Sequence, residues 1–172
     1  MRFLLCFLLP LALLGQTPTQ AEIRVYFSPG GGPTAALVKE LDGAKESVLV
    51  QAYSFTSAPI AAALKKAHER GVSVRVILDK SQKTEKYSSA TFLSHAKIPV
   101  WIDSKHAIAH NKVMILDGGT VVTGSFNFTK AAEERNAENM LIIRDKSLAK
   151  QYIAEWEKHL AHSEEYQEPA AQ

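Results

Sequence analysis

The sequence predicts a single α/β domain, a mixed β-sheet flanked by helices on both faces. Short apolar runs alternate with segments of helical periodicity along the chain. The chain is 172 residues long, 46% hydrophobic and 22% charged, about one ordinary globular domain's worth. No internal repeat or low-complexity linker divides it.

Each element has a local reason. Ile23–Phe27 reads as a short strand, closed by the breaker cluster Ser28-Pro29-Gly30-Gly31-Gly32. Residues Pro33–Lys45 carry Ala36, Leu37, Leu41 and Ala44 at helical spacing. Val48–Tyr53 is apolar enough for a buried strand. Ser57, Pro59 and Gly71 sit where a cap, an early proline and a terminal glycine bound a helix. Val72–Leu78 follows as a strand ended by Asp79. Beyond a polar stretch, a helix near Ala90–Ala96 leads to strands at Pro99–Ile102, Lys112–Leu116 and Val121–Thr123. Asp117-Gly118-Gly119 turns the last two into a hairpin. Lys130–Arg135 reads as a helical turn and Met140–Ile143 as a strand. Ser147–His162 is an amphipathic helix, with Leu148, Tyr152, Ile153, Trp156 and Leu160 on one side.

The first residues are read separately. Phe3–Leu14 is a run of 12 apolar residues behind Met1 and Arg2, too short for the roughly 20 residues a bilayer span needs. With Pro10, Gly15 and Thr19-Gln20-Ala21 after it, the pattern is that of a secretory signal peptide, residues 1–21, cleaved after Ala21. The expected location is the bacterial periplasm or the medium. Cleavage removes Arg2 and the lone cysteine, Cys6, so net charge falls from +2 to +1 and no disulfide or thiolate chemistry remains. One domain, residues 22–162, then precedes a polar acidic tail, 163–172.

Between residues 108 and 138, unusual choices coincide. On a strand, residues two apart face one side, so His110 and Lys112 project together and Asn111 away. Gly124-Ser125-Phe126-Asn127 follows across the hairpin and brings a hydroxyl and an amide toward that pair. Lysine as cation, Ser125 and Asn127 as donors, and histidine as nucleophile or proton carrier would make a phosphate site. Each residue alone has a plainer structural reading. The joint pattern is specific.

His110-x-Lys112-x4-Asp117-x6-Gly124-Ser125-x-Asn127 resembles the histidine–lysine–aspartate signature of the phospholipase D superfamily at every fixed position. Ala52-Tyr53-Ser54-Phe55-Thr56, Arg70-Gly71-Val72 and Asn136-x-Glu138-Asn139 are similar to the small single-motif bacterial periplasmic endonucleases of that superfamily. The resemblance runs from Ile23 to about Trp156 and implies the family's α-β-α sandwich. It also implies catalytic roles for His110, Lys112, Asp117 and Glu138. His110 would form a phosphohistidine, Lys112, Ser125 and Asn127 would bind the phosphate oxygens, and Glu138 would hydrogen-bond the imidazole, as a carboxylate does in a serine-protease triad. Asp117, at the hairpin and on the face opposite Lys112, is expected to act structurally or indirectly.

Two-step phosphoryl transfer needs a nucleophile and a general acid, and this chain has one such histidine. The resemblance therefore implies a homodimer with both His110 residues in one site, an isologous arrangement. A metal nuclease competes, because His106 and His110 are four apart with Asp103 nearby. Ile108-Ala109 and the next strand argue against a helix there, and Lys105 and Lys112 already supply positive charge. The reading is of no cofactor and no catalytic metal.

Near-zero net charge excludes reading a nucleic-acid partner from bulk charge, yet the charge is uneven. Leu78–Lys112 holds six lysines against three acids, while Glu155–Glu168 holds five acids against Lys158. With little chain left for a lipid-binding cap, the favoured substrate is nucleic acid, DNA and then RNA, gripped by backbone phosphate with little sequence preference. A small phospholipase D acting on phosphatidylcholine-type phospholipid is the alternative substrate class. A catalytically silent nucleic-acid-binding module is disfavoured by the completeness of the site.

Overall fold

The computed structural model describes residues 21–85 and 88–168. The expected signal peptide lies outside these except for Ala21. The elements are β1 (Glu22–Ser28), α1 (Pro33–Gly43), β2 (Ser47–Ala52), α2 (Ala58–Glu69), β3 (Ser73–Asp79), a 3₁₀ turn (Lys80–Lys83), α3 (Ala90–His95) and β4 (Val100–Asp103). There follow β5 (Lys112–Leu116), β6 (Thr120–Gly124), α4 (Lys130–Glu134), β7 (Glu138–Arg144), α5 (Lys146–Leu160) and β8 (Glu164–Glu165). Among the described residues, no helix is long and apolar enough to cross a membrane.

The predicted α/β class is the observed one. Eight strands form one sheet in the order β1-β7-β6-β5-β2-β3-β4-β8. β2, β3 and β4 are parallel, joined by crossovers through α2 and α3, and the other neighbours are antiparallel. Side-chain alternation splits the apolar residues into two cores. Val48, Val50, Val74, Val76, Met114 and Leu116 pack with α1, α2 and α3, whereas Leu49, Ile77, Val113, Ile115 and Val121 pack under α5. Trp156 seals the second core, its indole Nε1–H donating to the Val50 carbonyl at 2.9 Å with the Arg75 guanidinium 4.6 Å from its ring centroid.

One expectation needs correction. The segment assigned to a tail from Ser163 begins inside the domain, since Glu164–Glu165 pair with β4 and Tyr166 is buried with its hydroxyl on Thr91. Strand alternation identifies apolar partners, but two consecutive glutamates carry no such signal. Helix cover on the α5 face stops short of the far edge. Ile23, Val25 and Phe27 of β1 lie on that face, in register with β7 and thence β6, yet are 58%, 50% and 62% exposed.

Candidate active site

One end of the sheet collects the chemistry because antiparallel neighbours place strand starts beside strand ends. Lys112 opens β5 opposite Ala52 at the end of β2, Gly124 ends β6 opposite Met140, and Glu138 opens β7 opposite Ser28 at the end of β1. The parallel strands β3 and β4 end at the same edge in Asp79 and Asp103, which are in register. Ligands of open α/β sheets bind outside such carboxyl ends.

His110 and Lys112 do share a side. The imidazole lies 4.6 Å from the Tyr53 ring centroid to centroid, and Lys112 Nζ lies 5.1 Å from the same ring. His110 is exposed, whereas Lys112 is only 7% exposed and its ammonium donates to the His110 carbonyl at 2.8 Å. Burial pulls the Lys112 ammonium below the usual lysine range, and the charge of Glu138 pushes it back up. Glu138 is thus beside Lys112, but among the described residues its carboxylate takes a hydrogen bond from Asn136 Nδ2 at 3.1 Å rather than from the imidazole of His110. The expected Glu138–His110 bond is absent from this conformation.

Ser125 and Asn127 reach the site through the two phenylalanines beside them. Phe126 and Phe128 are each 1% exposed, and Phe128 packs edge-to-face on Phe55, so alternation turns the intervening polar residues outward. Asn139 holds Ser125. Its N–H and side-chain amide donate to Ser125 Oγ, and its carbonyl accepts the N–H groups of Ser125 and Phe126 at 3.0 and 3.1 Å. The Asn127 amide oxygen is buried without a hydrogen-bond partner among the described residues.

Asp117 is elsewhere. It lies five residues beyond Lys112, roughly 16 Å along the strand, and its carboxylate accepts the backbone N–H groups of Lys45, Glu46 and Ser47 at 2.8–3.2 Å. The resemblance places Asp117 among four catalytic residues, but its strand face led to the expectation of a structural or indirect role, and here it ties the hairpin to the turn before β2. Burial opposes its ionisation, but the three N–H donors outweigh burial and hold the carboxyl below its usual value. A lowered folded value stabilises above the unfolded pKa of about 3.9 and is lost as pH falls through the folded value. Asp117→Asn, which tolerates the positive φ of 50° here, is expected to cost about 1 kcal/mol at neutral pH. In thermal melts the gap should close toward low pH, and a gap independent of pH would refute this role.

Three supporting residues had no assigned role in the sequence reading. Tyr53 carries both His110 and Lys112 on its ring. Asn139 fixes Ser125. Asp79, 2% exposed, caps the 3₁₀ turn and accepts the Ala109 N–H at 2.7 Å, immediately before the nucleophile candidate. An aspartate closing the strand predicted over Val72–Leu78 was the available signal. Asp103 and His106 do meet, but in the company of His159 and His162 rather than His110.

The comparisons with known proteins agree with this geometry. Residues 37–160 match the family model described as "Cardiolipin synthase, PLD-like domain". A "Phospholipase D" of Rickettsia felis is 46% identical over 137 residues, 80% of this chain and 68% of that protein. A mitochondrial cardiolipin hydrolase of Canis lupus familiaris is 31% identical over 84% of this chain and 58% of its own length. The crystal structure of Nuc, a phospholipase D family member from Salmonella typhimurium, superposes with a TM-score of 0.82 at 37% identity, covering 86% of this chain and 99% of that one. The fold and site define a phosphodiester hydrolase. The chain belongs to the phospholipase D superfamily.

Proposed function

We propose that the protein is a non-specific endonuclease, cleaving DNA and also RNA through a covalent phosphohistidine at a site shared by two subunits, without a catalytic metal. The observation that carries this is an exposed imidazole beside a buried lysine, at an edge where exposed lysines outnumber exposed acids. Of the three acids between Leu78 and Lys112, Asp79 and Asp103 are buried and bonded internally. Lys80, Lys83 and Lys105 remain exposed, and Glu85 is the only exposed acid of that segment. A polyanion held by its phosphates fits that balance.

In the first step an imidazole nitrogen of His110 bonds to phosphorus and the ester P–O bond breaks. The leaving oxygen takes a proton from the second subunit's His110. Water then attacks phosphorus, gives its proton to that second imidazole, and displaces the first. Lys112, Ser125 and the amide of Asn127 take the non-bridging oxygens. The second subunit supplies the acid that one chain lacks. The uncovered apolar side of β1 supports such a partner, because it ends at Phe27 and Ser28, beside Glu138. The signal-like residues 1–21 support export to the periplasm or medium.

A specific observation favours phospholipase D activity as a second reading. The relative from Rickettsia felis carries that name, and Ile108, two residues before His110, is 57% exposed and suited to an acyl chain. Plasmid DNA, RNA and phosphatidylcholine vesicles, each incubated with the protein with and without EDTA, distinguish the readings. The expected result is nucleic-acid cleavage that persists in EDTA and weakens steeply with salt, by about 10³-fold between 50 and 200 mM if some six phosphates are held. Choline release without DNA cleavage selects the second reading, and dependence on added magnesium overturns the metal-free chemistry. A fully active monomer in sedimentation removes the shared site.

A further inference from the structure

We propose that Asp103, His106, His159 and His162 form a structural zinc site that fastens the loop carrying His110 to helix α5. One ligand atom from each of the four residues lies within 4.8 Å of the others. Asp103 is fully buried at the end of β4, His106 stands in the loop before β5, and His159 and His162 come from the end of α5 and the turn after it. Three separate parts of the chain therefore converge on one carboxylate.

The cluster's own hydrogen bonds leave it incomplete. Asp103 Oδ2 lies 2.7 Å from His159 Nδ1, 3.0 Å from His106 Nδ1 and 3.3 Å from His162 Nε2. A carboxylate oxygen has two lone pairs and cannot serve three donors well. Asp103 Oδ1 is already engaged, by the Lys105 N–H at 3.1 Å and His106 Nδ1 at 3.2 Å. The third imidazole is the one left out, since His162 Nε2 is buried without a hydrogen bond. One divalent ion would replace these competing contacts by four bonds.

The spacing and chemistry suit zinc. Ligands at 2.0–2.1 Å in a tetrahedron are about 3.3 Å apart, close to the present separations from Asp103 Oδ2. Three neutral imidazoles and one carboxylate are borderline ligands, which excludes the all-oxygen preferences of magnesium and calcium. The imidazole rings are 4.9–5.3 Å apart, centroid to centroid, as rings gathered on one point should be. Glu155 Oε1 lies 3.7 Å from His159 Nε2, on the side where a metal-bound imidazole turns its second N–H toward a carboxylate.

All four protein positions are filled, so no open site is left for substrate, and the role is structural. What the ion would hold is the loop. His106 is four residues before His110, and its carbonyl already accepts from Lys80 Nζ at 3.0 Å. Zinc would complete a clamp of which Asp79 on the Ala109 N–H is the other jaw.

The test uses full-length purified protein stripped with a chelator and dialysed. Isothermal titration with Zn²⁺ should give one ion per chain, and Co²⁺ should give the intense visible absorption of a tetrahedral site. Free zinc about 100-fold above Kd should raise Tm by roughly 5–10 °C. His162→Ala removes a ligand without removing a hydrogen bond from the fold, and should weaken zinc by about 10²-fold or more. His95→Ala, an exposed histidine paired with Glu168, is the control and should bind as the parent does. Substoichiometric binding, an unchanged Tm, or equal zinc response in His162→Ala and the parent would each overturn the site. These readouts need no substrate, so they stand or fall separately from the endonuclease assay.

Discussion

His110→Ala is expected to abolish phosphodiester cleavage, by at least about 10⁴-fold, while leaving substrate binding and stability nearly intact. The proposed nucleophile is lost, and nothing else within the described chain replaces it, since Lys112 donates to a backbone carbonyl and Ser125 Oγ is engaged by Asn139. His110 is exposed and its side chain adds only a ring contact with Tyr53, so the stability change should stay within about 0.5 kcal/mol. Binding rests on phosphate contacts from the lysines and should survive. A gel-shift and cleavage assay on the same preparation checks both halves. Mixing the variant with an equal amount of parent chain goes further. If both imidazoles act in one site, only parent–parent dimers work, and activity falls to about a quarter of the undiluted value instead of a half. Half-activity would argue for independent sites, and residual turnover in the pure variant would mean that His110 is not the nucleophile.

Gly124→Ala should be the next most damaging, by a different route. Gly124 has a φ of 147°, a region closed to other residues, and a Cβ there would lie 2.3 Å from the Asn139 carbonyl oxygen. That oxygen accepts the N–H groups of Ser125 and Phe126, so relieving the clash breaks both bonds and swings Ser125 and Asn127 away from Lys112. The strain and lost bonds together should cost about 3 kcal/mol, read as a lowered denaturant midpoint. A displacement of about 1 Å at the phosphate-binding groups costs about 10²-fold in rate. Turnover measured well below the melting temperature separates misplacement from unfolding. An alanine variant with parental turnover would show that Gly124 merely ends a strand.

Much of this was legible in the sequence because it is local. Strand alternation placed His110 and Lys112 together, whereas the burial of Phe126 and Phe128 that exposes Ser125 came only with the fold. Periodicity assigned the helices because each buries one stripe. Asp117 shows the limit of a motif. Its spacing is fixed in the signature, yet only the fold reveals that the spacing serves three backbone N–H groups on a turn some 70 residues earlier. Tyr53, Asp79 and Asn139 were present but had no role until β2, β3 and β7 delivered them to one edge.

The histidines make the same division sharper. Counting along the chain pairs His106 with His110, because a sequence offers only neighbours as candidate partners. Folding separates that pair and gives His106 two imidazoles from the end of α5, more than 50 residues away, around a carboxylate from β4. What the sequence determined by itself is the fold class, the phosphodiester-hydrolase family and the residues proposed to carry its chemistry, since period and motif are properties of contiguous chain. What the tertiary structure alone decided is which distant groups steady them, since the order of strands in the sheet, not order along the chain, sets what each residue touches.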